Sequence, residues 1–272
     1  MAKTSTLPPL HTFTEGGMTL GYRDAGAGMP LVMLSGWGVG SVMGEASVGA
    51  LRQRGLRVIT IDVPGTGAQR PASAFIYIPR LAKLVANLLR HLQLHEVTIV
   101  GHSFGSLVAQ DMAMNEDDVV GKLVLVSPLA PLGSVAPDLG TAMSTFNRLL
   151  SGQQHILAHG PLGVVKAMFG PELEHELNDL SKPATVATLS GQVWAASRWT
   201  GWAGWGSKAG QIYQPTLLIH GEHDPLSPPA ASRRLAGMLK HVQLEIQDCG
   251  YMPLIEQAEV CLPRIAHFAQ TA

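Results

Sequence analysis

The stretch VTIVGHSFGSLVAQ, residues 97–110, decides the fold. Val97 to Val100 form a short, largely β-branched run of the kind that lies buried inside a sheet, and beyond Gly105 the apolar spacing becomes helical. Between the two stand Gly101, His102, Ser103, Phe104 and Gly105, a G-x-S-x-G string in the strand–turn–helix setting that a nucleophile elbow requires. Glycines two residues before and after the serine keep Cβ atoms out of a crowded junction. The serine then sits on a strained turn, with its hydroxyl and nearby backbone N–H groups facing the same space. Ser103 is the candidate nucleophile.

Working outward, LVMLSGWGVGS at residues 31–41 leaves another apolar run through glycines. The partner half of an oxyanion hole is expected there, with Trp37 and Phe104 each donating a backbone N–H. Removing one such donor typically costs about 3 kcal/mol of transition-state stabilisation. IDVPGTGAQRP at residues 61–71 is the loop after the next strand, and its Gly65 and Gly67 are expected to be structural.

Short aliphatic runs recur at Leu31 to Leu34, Val58 to Ile61, Val97 to Val100, Leu123 to Val126, Thr216 to Ile219 and Val242 to Ile246. Helical patterns lie between several of them. The clearest places Leu81, Leu84, Val85, Leu88, Leu89 and Leu92 on one face, with Pro79 suited to the first turn. Strand followed by helix, repeated, predicts a parallel sheet. Met18 to Asp24 is expected as an antiparallel edge strand entered through the Gly16, Gly17 turn. After Val126 the alternation stops, and residues 131–214 carry helical patterns and four of the five tryptophans. The expected organisation is a doubly wound α/β core over 1–130 and 215–272, interrupted by a helical cap over 131–214.

Composition narrows the function classes. The 272 residues are 46% hydrophobic and only 14% charged, against roughly 25% charged in typical soluble proteins; mean hydropathy is +0.17. Disorder is excluded, and an apolar cleft or subunit contact is favoured, such as one joining a homodimer. A net charge of −1 gives no basic field for nucleic acid or an anionic membrane. The opening MAKTSTLPPL lacks a secretion signal, and no run approaches the ~20 apolar residues of a membrane span. A cytoplasmic location is expected. Cys249 and Cys261 fit small buried hydrophobes better than a disulfide framework or a metal pair.

These strings together resemble the α/β-hydrolase superfamily over nearly the whole chain. Within it, IDVPGTG, LAKLVANLL, GQVWAASRWTGW and QPTLLIHGEHDPLSPP are most similar to the intracellular polyhydroxyalkanoate depolymerase branch. The resemblance implies a Ser, acid, His triad in that chain order beneath a helical cap. It assigns the acid to Asp224, which follows an apolar run in LLIHGEHDP, with Glu222 and His223 as solvent-facing turn residues.

The triad histidine is missing. Where the resemblance calls for Gly-His, this chain reads DCGYMPLIEQAEV, so Tyr251 stands between Gly250 and Met252. None of the eleven histidines lies between 242 and 266. A phenol with pKa ~10 is only about a thousandth ionised at pH 7, whereas an imidazole near ~6.5 is mostly free base. Three outcomes remain open: a variant of a working hydrolase, an enzyme with Tyr251 as proton donor or acceptor in lyase, cyclase or acyl-transfer chemistry, or an inactive ligand-binding pseudohydrolase.

The expected substrate is a small apolar acyl ester, thioester or lactone. Trp194, Trp199 and Trp202, spaced by five and three, are candidate cleft walls in the cap. Substitutes for the missing base are weak. His102 is expected to point away from the cleft, His155 and His159 lack a third metal ligand, and His91 and His95 suit a helix end. No metal or organic cofactor is called for.

Overall fold

A computed structural model describes residues 8–36, 45–66, 77–129, 186–202, 208–224 and 227–271. Among these, eight strands form one sheet: β1 (His11–Glu15), β2 (Met18–Ala25), β3 (Met29–Leu34), β4 (Leu56–Asp62), β5 (Val97–His102), β6 (Val120–Val126), β7 (Thr216–Gly221) and β8 (Val242–Gln247). Their spatial order is β1-β2-β4-β3-β5-β6-β7-β8. The first two strands pair antiparallel, β2 lies antiparallel to β4, and every later pairing is parallel.

The unbroken apolar runs follow from burial on both faces. Val32, Leu34, Ile59, Ile61, Ile99, Leu123, Leu125 and Leu218 point into one core cluster. Leu31, Val58, Val100, Val124, Val126, Leu217 and Ile219 point into the other. The first face is covered by α2 (Ile78–His91), α3 (Phe104–Asn115) and α5 (Pro229–Ala236), and the second by α1 (Glu45–Gln53) and α7 (Ala258–Gln270). Pro79 does open α2, whose apolar stripe is buried. A one-turn helix, α6 (Pro253–Glu256), precedes α7.

One expectation needs correction. Met18–Ala25 is not the edge strand, because β1 pairs outside it through a turn in which Gly16 and Gly17 have φ 56° and 75°. The sequence HTFTE hides this strand, since four of its five residues are exposed and only Phe13 packs against the core.

Within the expected cap, residues 131–185 lie outside the described residues. The helix described there, α4 (Val186–Trp202), docks on α3 through Trp199, whose Nε1–H donates to Asp111 Oδ1 at 2.7 Å. Both residues are buried, and desolvation raises the Asp111 pKa. Trp199→Phe would strand this buried acceptor. It is expected to cost about 1–3 kcal/mol, seen in calorimetry as a fall of roughly 2–4 °C in Tm per kcal/mol; an unchanged Tm would show that the bond contributes nothing.

Cys249 and Cys261 are free, buried thiols, as the composition suggests. Burial pushes their pKa values up to about 12 and about 11, which leaves little reactive thiolate. No helix among the described residues is long and apolar enough to cross a membrane.

Candidate active site

Ser103 joins β5 to α3 with φ 50° and ψ −112°, a region that non-glycine residues rarely occupy and that costs of order 1–3 kcal/mol. The surroundings enforce it. The Ser103 N–H donates to Val126 O at 3.0 Å, and the Ser106 N–H donates to Ser103 O at 2.9 Å. A Cβ on Gly101 would stand 2.6 Å from Gly105 O, and one on Gly105 would stand 2.3 Å from Leu34 O. Only glycine at both positions lets α3 begin flush against β5 and β3.

Phe104 is the first residue of α3. Its N–H belongs to the four at a helix start that have no partner within the helix, and its ring is buried in the core. Trp37 lies outside the described residues. Gly36, just before it, runs beside the elbow: a Cβ there would come within 2.7 Å of His102 Nδ1 and 3.4 Å of Ser103 Cβ.

Tyr251 is brought to Ser103. The Tyr251 side chain is buried, and its hydroxyl lies close enough to that of Ser103 to interact with it. Its backbone carbonyl accepts from His102 Nε2 at 3.1 Å and from the Ser127 hydroxyl at 3.0 Å. A carbonyl oxygen only accepts, so this network assigns the His102 proton to Nε2. The two rings lie 4.7 Å apart, centroid to centroid, at 58°. Burial pulls the His102 pKa down, which favours the neutral imidazole. Burial also pushes the Tyr251 phenol well above its ordinary value of 10; the nearby Ser103 hydroxyl partly offsets this, and the charge of Asp224 adds to it.

Asp224 closes the turn after β7, its side chain removed from solvent. Oδ1 accepts the Ser227 N–H at 2.9 Å, and Oδ2 lies 3.3 Å from His220 Nε2. The Ser227 hydroxyl donates to Pro128 O at 3.1 Å, tying the loop to the end of β6. An imidazole at 251 would offer a separate nitrogen to the acid and to the serine. A phenol has one oxygen, and here it meets Ser103.

The structure thus places Ser103, Phe104, Tyr251 and Asp224 beyond the carboxyl ends of β5, β8 and β7, on one end of the parallel sheet. It does not bring Trp199 to the serine, because Asp111 lies eight residues along α3, about 12 Å from the elbow. Trp194 is 45% exposed, with the Arg198 guanidinium 5.6 Å from its ring. Of Trp202 only the backbone is described. Glu222 and His223 are exposed, as expected. His220 and Ser127 escaped the sequence reading. A buried histidine at a strand end and a serine after another strand carry no local signature; the one hint is the polar His220 closing an apolar run.

Residues 29–258 match the family described as alpha/beta hydrolase fold. A poly(3-hydroxyalkanoate) depolymerase of Ectopseudomonas oleovorans is 31% identical over 245 residues, covering 89% of this chain and 84% of that protein. A pimeloyl-(acyl-carrier protein) methyl ester esterase of Aromatoleum aromaticum is 30% identical, covering 85% and 94%. Among solved structures, an esterase from Exiguobacterium antarcticum superimposes with a TM-score of 0.78 at 21% identity, covering 94% and 97%.

Proposed function

The chain belongs to the α/β-hydrolase fold family, and from that premise we propose that it is an acyl-group enzyme acting on a small apolar ester, thioester or lactone through Ser103. Asp224 and Tyr251 complete the site, with Tyr251 in the place of an imidazole. The backbone N–H groups of Trp37 and Phe104 receive the oxyanion, and a helical cap over 131–214 roofs the cleft. The similarity to a depolymerase of hydroxyacid esters favours a hydroxyacyl ester.

The observation that carries this is the proximity of the buried Tyr251 phenol to the Ser103 hydroxyl. Through it the phenol can act as a two-way shuttle. As Ser103 Oγ bonds to the acyl carbon and the bond to the leaving group breaks, the serine proton passes to Tyr251 and the tyrosine proton passes to the leaving oxygen or sulfur. Water then reverses the exchange. A neutral phenol is a weak proton acceptor, and its raised pKa keeps the faster phenolate route scarce at neutral pH, so turnover is slow and good leaving groups are favoured.

The same raised pKa supports a second reading. A neutral phenol beside the serine hydroxyl and the Phe104 N–H is a proton donor, suited to lyase, cyclase or acyl-transfer chemistry rather than hydrolysis. Fluorophosphonate labelling tests the common core of both. Ser103 is expected to label slowly, at a rate that climbs from pH 6 to pH 9 without an inflection near 6.5, because the phenol ionises far above this range. Absence of label on Ser103 would leave a ligand-binding protein with no acyl chemistry.

A further inference from the structure

One carboxylate grips the main chain on both sides of position 251. Glu256 Oε2 accepts the Gly250 N–H at 2.7 Å, and Glu256 Oε1 accepts the Met252 N–H at 2.8 Å. The turn that carries Glu256 back is α6, which opens at Pro253 and in which the Glu256 N–H donates to Met252 O at 2.9 Å. A Cβ on Gly250 would stand 3.1 Å and 3.2 Å from the two carboxylate oxygens, so glycine there leaves them room to reach both donors. From the other side, His102 Nε2–H and the Ser127 hydroxyl donate to the Tyr251 carbonyl.

We infer that Glu256 is a positioning residue for position 251: by accepting the N–H groups that flank it, one carboxylate fixes the direction in which that side chain leaves the backbone toward Ser103. The peptide joining residues 251 and 252 is a rigid plane that contains the Cα of 251. Its oxygen is tied to His102 and Ser127 and its N–H to Glu256, so both edges of the plane are held. The Gly250 N–H anchors the chain one residue upstream, and the Cα of 251 lies between two fixed points. Bonds from N–H to a carboxylate are roughly twice as strong as those to neutral acceptors. Glu256 is itself exposed; it supports the loop from outside the core and acts on the chemistry only through residue 251. Outer partners of this kind orient a working group while remaining outside its reaction.

The inference rests on residue 251 acting on Ser103 as proposed above, so the test is run where that action is measurable, in the Tyr251→His enzyme with a p-nitrophenyl ester. There, Glu256→Ala is expected to lower kcat by about 10- to 100-fold, the usual effect of a displaced catalytic group, with KM within about twofold. Glu256→Gln, which keeps one acceptor oxygen and loses the other, is expected to fall between the two. The control is the Tyr251→Ala enzyme, where no ring remains to be aimed. In that background Glu256→Ala should change the slow fluorophosphonate labelling of Ser103 by no more than about twofold.

An unchanged kcat on adding Glu256→Ala to the Tyr251→His enzyme would overturn the inference and leave the site reading intact. An equal loss in the Tyr251→Ala enzyme would also overturn it, by making Glu256 a support of the elbow or of the fold. If Tyr251→His itself gains no rate, the site reading fails first and this inference falls with it. Thermal unfolding of each variant separates misfolding from misplacement. Should Glu256→Ala not fold, Glu256→Gln takes its place in both backgrounds.

Discussion

Tyr251→His is expected to raise ester hydrolysis by about three orders of magnitude or more. In a thoroughly dissected serine protease, loss of the triad histidine costs about 10⁶ in turnover, and the oxyanion hole and binding retain some 10³ over water. This chain keeps the parts that survive such a loss, namely the strained elbow and the Phe104 N–H at the head of α3. Position 251 already lies beside Ser103, and its backbone is held by His102 and Ser127. A new imidazole enters a prepared slot, with a pKa near ~6.5 that makes it mostly free base at pH 7. Recovery is expected to fall short of 10⁶ because Asp224 also accepts the Ser227 N–H. The measurement is kcat/KM against pH, where an inflection near 6.5 should appear. Ser103→Ala in the same background should erase the gain, and an unaltered rate in Tyr251→His would show that this slot does not hold the base.

Gly105→Ala is expected to disable the protein by a different route. The added methyl would sit 2.3 Å from Leu34 O, 2.7 Å from Leu34 C and 2.8 Å from Ser35 O, all of them backbone atoms with no flexible end to yield. Relief requires α3 to move away from β3, yet ten of the twelve residues of α3 are buried. A shift there disturbs the packing on α2, α4 and the sheet together. Overpacking of this kind lies in the upper range of single substitutions, about 3 kcal/mol or more, and corresponds to a fall in Tm of roughly 10 °C. Fluorophosphonate labelling of Ser103 should disappear even below the new Tm, because the elbow loses its geometry first. Gly49→Ala is the control: a Cβ in α1 meets nothing within 4 Å, and alanine there should be stabilising by about 0.5–1 kcal/mol. If both variants melt alike, the close approach of α3 to β3 is not what demands the glycine.

The parallel core was legible in the chain because β3 to β7 are buried on both faces, which forces unbroken aliphatic runs that little else produces. β1 was not, since a half-exposed strand of Thr, Phe and Glu resembles a loop. At the site, the elbow announces itself through two glycines whose Cβ atoms have no room, and Asp224 through its place after a buried run. Tyr251 stood out only by the absence of a histidine. What the chain could not disclose was the set of partners for these groups. His220 meets Asp224 within one loop, but His102 and Ser127 meet the Tyr251 carbonyl across more than 120 residues, and no spacing rule encodes that meeting. The tryptophan spacing likewise could not tell a cleft wall from a core anchor, and Trp199 is held by Asp111 at a distance from the elbow.

Two of the bonds that hold residue 251 in place end on its main-chain oxygen. They are blind to the side chain it carries. The scaffold therefore presents an interchangeable socket, in which swapping phenol for imidazole leaves this main-chain anchoring unchanged. Tyrosine and histidine codons differ by one nucleotide, so a lineage can toggle this reactive centre in a single mutational step while its architecture stays put.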